Sequence, residues 1–248
     1  MMEKRQRGLI TLLLIVSIGM AGNLQAQQNM THESGLSPKE QSIIAISALT
    51  AKGDLEPLKI ALTSGLEAGL TVHEVKEVLV HSYAYCGFPR SIRGLQTFME
   101  VIDERKAKGI ADKTGRGASP IDQKSSKYAR GKKILGELTQ MPQPDTLTGY
   151  SAFAPTIDTF LKEHLFADIF ERDVLTYAER EWVTISVIAS IEHAEPMLRS
   201  HLAICLQVGL TPEKLQQFVT IIKSTVGDKA AKAAQSVLNE VLATNKLK

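Results

Sequence analysis

Glu181 and His201 supply a carboxylate and an imidazole, residue types that together can move a proton. The apolar spacing around them reads as two arms of one helical hairpin, with one residue on each arm. A carboxylate beside an imidazole holds one tautomer and raises the imidazole pKa, which suits proton transfer near neutral pH. The plainer alternative makes Glu181 a solvated first-turn acid and His201 a hydrogen-bonded core residue. A second polar group, His81, Tyr83 and Tyr85, lies on a helix in the other half of the chain. Arg172 carries a guanidinium fork that matches a carboxylate bidentately, so it could grip an anionic substrate. A salt bridge to Asp168, four residues earlier, would use it equally well. Cys86 and Cys205 are too few for a disulfide framework, and nothing beside either marks an activated thiol. They are expected as two buried apolar thiols, one bridge in an oxidising compartment being the alternative. Glu192-His193-Ala194-Glu195 has metal-binding residue types, but its spacing does not put three ligands on one helical face, so no metal is expected.

The elements that must position these groups occur twice. Leu36-Ser37-Pro38-Lys39-Glu40 opens one copy and Leu175-Thr176-Tyr177-Ala178-Glu179 the other, 139 residues later. Ile46-Ser47 recurs as Ile185-Ser186, Glu56-Pro57 as Glu195-Pro196, and Gly69-Leu70-Thr71 as Gly209-Leu210-Thr211 with the offset grown to 140. One supersecondary unit is therefore used twice, with one residue inserted in the second copy. Each copy reads as a helical hairpin and a third helix. Ser37 with Glu40, Thr71 with Glu74 and Thr176 with Glu179 are capping boxes, Thr211-Pro212 is an N-cap with Pro at N1, and Gly69 and Gly209 end helices. Leu55, Leu58, Leu62 and Leu66 keep helical spacing, and little alternates with period two. The fold class is all-α, in two pseudo-repeated units.

Residues 1–26 are excluded from the fold. Lys4, Arg5 and Arg7 precede an apolar run of about 12 residues, too short for the roughly 20 that span a bilayer, and Leu24-Gln25-Ala26 offers a cleavage site. A signal peptide follows, and with it a periplasmic or secreted protein without stable membrane insertion. The segment also removes the basic excess: 29 Lys and Arg stand against 27 Asp and Glu, and it holds three of the former and one of the latter. The balanced remainder gives no footprint for nucleic acid. The first repeat is expected over 34–107, a Gly-, Lys- and Ser-rich linker over 108–126, and a second, fuller unit over 127–244.

Particular segments carry a family resemblance. Tyr128-Ala129-Arg130-Gly131, the stretch His164 to Arg172, Glu179 to Ile185 with Leu198 to Leu202, and Glu74 to Pro89 with its Tyr85-Cys86-Gly87-Phe88-Pro89 ending resemble the carboxymuconolactone decarboxylase family, whose relatives include the alkylhydroperoxidase D proteins. The matches touch most of residues 36–243. The resemblance implies an all-helical fold that assembles with itself, as a homotrimer for a two-unit chain, a hexamer being the alternative. The alkylhydroperoxidase branch uses a Cys-x-x-Cys-x-x-x-His helix; with its histidine on His201, the cysteine positions fall on Ala194 and Met197. Dithiol chemistry by that route is lost, while Glu181 and His201 hold the positions of that branch's relay Glu and His. The first copy has Ser42 and Ala61 there, and the second has Ile221, Lys223 and Thr225 in place of His81, Tyr83 and Tyr85. Each copy lacks what the other keeps, which fits one composite site or two decayed ones. The inserted residue would turn part of the second arm by about 100°.

The function implied is cofactor-free proton transfer or decarboxylation on a small carboxylated lactone or organic acid. His201 would be the general acid/base, Glu181 its orienting partner, Arg172 a carboxylate anchor, and His81 or Tyr85 a polar contact to substrate. Export fits poorly with intracellular aromatic catabolism, so carboxymuconolactone itself is not the expected substrate. Two other readings stand beside this one: an alkylhydroperoxidase-type antioxidant enzyme with peroxiredoxin activity, and an exported helical scaffold or small-molecule binder without catalysis.

Overall fold

The repeat is visible in the computed structural model, which describes residues 35–245; the expected signal peptide lies outside them. The first unit comprises α1 (Pro38–Lys52), α2 (Leu55–Glu67) and α3 (Val72–Ala107). Between the units run α4 (Lys127–Thr139), the short α5 (Gly149–Phe153) and α6 (Pro155–Thr159), and α7 (Phe160–Phe170), which is wound as a π-helix. The second unit comprises α8 (Tyr177–Ser190), α9 (Glu195–Gln207), α10 (Pro212–Thr225) and α11 (Asp228–Asn245). No strand occurs among the described residues, and no helix there is long and apolar enough to cross a membrane. The chain is all-α.

All three expected capping boxes form, with Ser37, Thr71 and Thr176 each accepting from the backbone N–H three residues on. α3 breaks at Gly87 (φ 77°), and Gly227 (φ 121°) separates α10 from α11, so the two halves of α3 answer to α10 and α11. α1 packs along α8, and one core runs through both units. Ile43, Ile46, Leu58, Leu62, Trp182, Ile185, Leu202 and Phe218 are among its fully enclosed side chains, each stabilising by about 1.5–3 kcal/mol. α1 is buried on every side from Ile46 to Ala51, which requires its hydroxyls to be satisfied locally. Ser47 and Thr50 donate to the carbonyls of Ile43 and Ile46 at 2.7 Å, and Ser186 in α8 donates to that of Trp182 at 2.6 Å.

The inserted residue does not turn the second arm. α1 and α2 are joined by Gly53-Asp54, whereas α8 and α9 are joined by Ile191 to Ala194, with His193 at a left-handed φ of 65°. The extra residue is looped out there, and Leu198 and Leu202 keep the buried face that Leu58 and Leu62 hold.

Two further features position the site. A small second core joins α4 to α7 through Ile134, Leu138, Phe166 and Phe170. Gly131 lets these helices touch, because a Cβ there would lie 1.7 Å from the Lys162 carbonyl oxygen. The segment 108–126 is a strap bonded to both units through its middle. The carbonyls of Lys113 and Thr114 accept from the N–H groups of Val72 and His73 at 2.9 and 3.0 Å, satisfying first-turn donors that the helix leaves free. Farther along, Ser119 donates through its N–H and its hydroxyl to Asp173, both at 2.8 Å, and Arg116 pairs with the same carboxylate at 2.8 Å.

Candidate functional site

Glu181 and His201 meet. His201 Nδ1 lies 2.9 Å from Glu181 Oε2, one residue from α8 and the other from α9. The carboxylate is wholly enclosed, while 16% of the imidazole side chain is exposed. With Glu181 accepting, Nδ1 carries the proton and Nε2 is left as the basic nitrogen.

The polar face of α3 closes the site from the first unit. Glu77, His81 and Tyr85 follow each other every four residues, on one side of the helix. The Tyr85 ring stands edge-to-face with His201, centroids 5.8 Å apart, and lies 5.6 Å from His81. The Tyr85 hydroxyl is buried next to Thr184 and makes no hydrogen bond of full geometry. Burial, and then the charge of Glu181, push its pKa far up, so it is an O–H donor at any ordinary pH. His81 is fully enclosed: its Nε2 lies 2.9 Å from Thr184 Oγ1 and its Nδ1 3.1 Å from Arg180 Nη1. Arginine can only donate, so Nδ1 accepts and Nε2–H donates to Thr184. Burial, with the charges of Arg180 and His201, holds the His81 pKa well below the ordinary 6.5 and keeps the ring neutral. Both nitrogens are taken by protein partners, so His81 reaches a substrate only through Thr184 or Tyr85.

Arg172 does grip a carboxylate, but one from the chain itself. Its Nε donates to Glu77 at 2.9 and 3.1 Å and its Nη2 at 3.0 Å. Arg180 Nη2 joins the same carboxylate at 2.8 Å, making an Arg–Glu–Arg triad across the units. The alternative partner, Asp168, goes instead to Lys127 and His164. Arg172 remains 39% exposed on a cleft of about 810 Å³, lined also by Arg130, Ile134, Phe170, Leu175 and Tyr177. Glu181 and His201 do not line this cleft. Phe170 belongs to both regions, since its ring also meets His81 edge-on at 4.9 Å.

The structure thus brings Glu181, His201, Tyr85 and His81 together and leaves Arg172 farther out, joined through Glu77 and Arg180. Sequence reasoning missed Glu77, Arg180 and Thr184. The four-residue spacing from Glu77 to His81, and from Arg180 to Thr184, was the available signal. Three buried polar atoms without a hydrogen bond of full geometry fall in this one cluster: Tyr85 Oη, Glu181 Oε1 and Arg180 Nε. Such groups are rare in native interiors, and each leaves a donor or an acceptor open to water or to a ligand.

Neither thiol is activated. Burial lifts the Cys86 pKa to about 11, and burial with the charge of Glu181 lifts that of Cys205 well above its usual value. Both are free; Cys205 is enclosed and Cys86 half-buried. Glu192 sits on the α8–α9 turn and pairs with Lys229.

The model of the carboxymuconolactone decarboxylase family matches residues 20–98 and 155–240, more than half of the chain and one region in each unit. No curated protein gives a significant match.

Proposed function

Because this chain belongs to the carboxymuconolactone decarboxylase family, we propose that it catalyses cofactor-free proton transfer or decarboxylation on a small carboxylated lactone or organic acid. The observation that carries this reading is the 2.9 Å His201–Glu181 bond beside the buried hydroxyl of Tyr85, which makes no hydrogen bond of full geometry. His201 Nε2 takes a proton from the carbon next to the substrate carbonyl. The C–H electron pair moves into the carbonyl, and the enolate oxygen accepts a hydrogen bond from Tyr85. Return of the proton to another carbon completes an isomerisation. In decarboxylation His201 enters as the imidazolium, the bond to the carboxylate breaks with its electron pair moving into the carbonyl, carbon dioxide leaves, and the Nε2 proton passes to the resulting enolate carbon. Glu181 orients the imidazole and balances its charge. His81, held neutral by Arg180, positions Tyr85 and Thr184, and Arg172 braces Glu77 and through it Arg180 rather than reaching the substrate at His201.

We further propose that the protein is exported, with cleavage after Ala26, and assembles as a ring of three copies. Intact mass of the exported protein tests the first point; a mass retaining residues 1–26 would reverse it. For catalysis, the wild type is compared with His201→Ala and Glu181→Gln on lactones, organic acids and hydroperoxides. Loss of lactone or acid turnover in both variants is the expected result. Activity that survives both but disappears with Cys86→Ser or Cys205→Ser would make it a thiol peroxidase. No turnover of anything, with ligand binding unchanged in the variants, would make it a binding scaffold.

A further inference from the structure

The second unit serves as an internal control for the surface of the first. Burial runs in parallel along the second half of α3 and along α11. Ser91, Gly94, Thr97 and Phe98 are buried, as are Ala231, Ala234, Val237 and Leu238 at the corresponding positions. Ile92, Gln96, Met99 and Glu100 face outward, as do Lys232, Ser236, Asn239 and Glu240. The same face therefore looks out in both units, but its chemistry differs. Phe88, Ile92 and Met99 are 60%, 49% and 66% exposed, where α11 has Asp228, Lys232 and Asn239. Val80 and Ile60 are exposed as well, and their counterparts are Thr220 and Ser200. A fold that keeps five outward positions polar in one copy and apolar in the other has a reason to cover the second set.

We propose that this face pairs two copies of the chain, the second half of α3 lying antiparallel against itself about a two-fold axis near Gln96. The charges beside the apolar stripe single out this occupant. Arg93 stands toward the start of the stripe and Glu100 and Asp103 toward its end, whereas Arg90 turns to the opposite side of the helix, against Gly53. On α11 the positions of Arg93 and Asp103 are both alanine: Ala233 and Ala243. Arg93 thus accompanies the apolar stripe and has no charged counterpart on α11, where only the position of Glu100 keeps its charge, as Glu240. At about 100° per residue, Phe88, Ile92 and Met99 fall within about 40° of one another, with Arg93 and Glu100 together on one flank. An isologous antiparallel contact sets Ile92 of one copy by Met99 of the other, and Arg93 by Glu100, twice over. The opposed helix dipoles favour the same orientation. The assembly then has an even number of chains: a dimer, or a hexamer if the ring of three is also present.

Light scattering on the size-fractionated mature protein tests this. The expected mass is an even multiple of the protomer, and Ile92→Asp combined with Met99→Lys halves it while far-UV circular dichroism stays unchanged. Arg93→Glu weakens the pairing, and adding Glu100→Arg in the same chain restores it, because the two-fold rebuilds both ion pairs. Lys232→Glu on the matching face of α11 leaves the mass alone. A monomeric or trimeric wild type overturns the proposal, as does an even assembly that the Ile92 and Met99 changes leave intact. A trimer would still uphold the ring of three, and a dimer would refute the ring while upholding this contact.

Discussion

Removing the Glu77 carboxylate should cost more than any other single truncation of a charged side chain near the site. Glu77 is 3% exposed and accepts from both Arg172 and Arg180, the latter with no exposed surface at all. In Glu77→Ala, Arg180 keeps only the carbonyl of Arg172 and the Nδ1 of His81 as acceptors. Burial already draws the Arg180 pKa downward despite Glu77, so desolvation is the dominant influence on it even in the intact triad. Stripping one partner from a buried pair costs about 3–5 kcal/mol. That is a large part of the roughly 5–15 kcal/mol that holds a domain together. For a chain of this size it corresponds to a fall in Tm of about 6–20 °C. Glu77→Gln retains an acceptor of the same shape and should lose less. Glu77→Leu with Arg180→Met removes both desolvated charges and should recover much of the loss. Urea unfolding followed by circular dichroism, at constant m-value, measures each. A Glu77→Ala variant within about 1 kcal/mol of wild type, or a double variant as unstable as the two single changes added together, would refute the argument.

Gly131→Ala forces a Cβ onto the Lys162 carbonyl, a backbone atom that cannot swing aside. It should destabilise by about 1–3 kcal/mol or more, read as a lower Tm; an unchanged Tm would show that α4 and α7 are not in contact. His81 has a folded pKa depressed below its ordinary 6.5, so the unfolded chain binds the extra proton. Its contribution to stability is therefore full above about pH 6.5 and is lost as pH falls through the folded value. Urea midpoints at pH 8 and pH 5 should differ more in the wild type than in His81→Gln, and equal differences would remove His81 from the account. Alkylation of native Cys86 should be slow at pH 7.5 and rise toward its pKa of about 11, while enclosed Cys205 should react only on unfolding. Fast labelling of Cys205 in the native protein would contradict its burial.

Much of the fold was legible because its signals are local. Ser37, Thr71 and Thr176 announce their helices within three residues, and Gly69 and Gly209 close the preceding ones at φ 93° and 92°. The Glu181–His201 pair was legible because both residues sit within one hairpin. The Arg172–Glu77–Arg180 triad was not, because it joins residues 95 and 103 positions apart, and either arginine had nearer acids to choose from. The strap was hidden for a different reason. Its hold on α3 is made partly by backbone carbonyls, which leave no mark on the sequence, and partly by Arg105 on Asp112, a pair lost among the many charges of a segment that reads as linker. Where the inserted residue goes also depended on geometry: letter identity kept Glu56 with Glu195, whereas the buried leucines pair Leu58 with Leu198.

The packing of α1 along α8 sets a clock on folding. The two helices are about 139 residues apart in sequence, so the centre of the core can close only when most of the chain exists. At about 5–20 residues per second of synthesis, α1 waits some 7–28 s for its neighbour. During that interval Ile43, Ile44, Ile46 and Leu49 have no native cover from α8, which makes them natural targets for a holding chaperone. A fragment ending at residue 126 should accordingly show no cooperative unfolding transition.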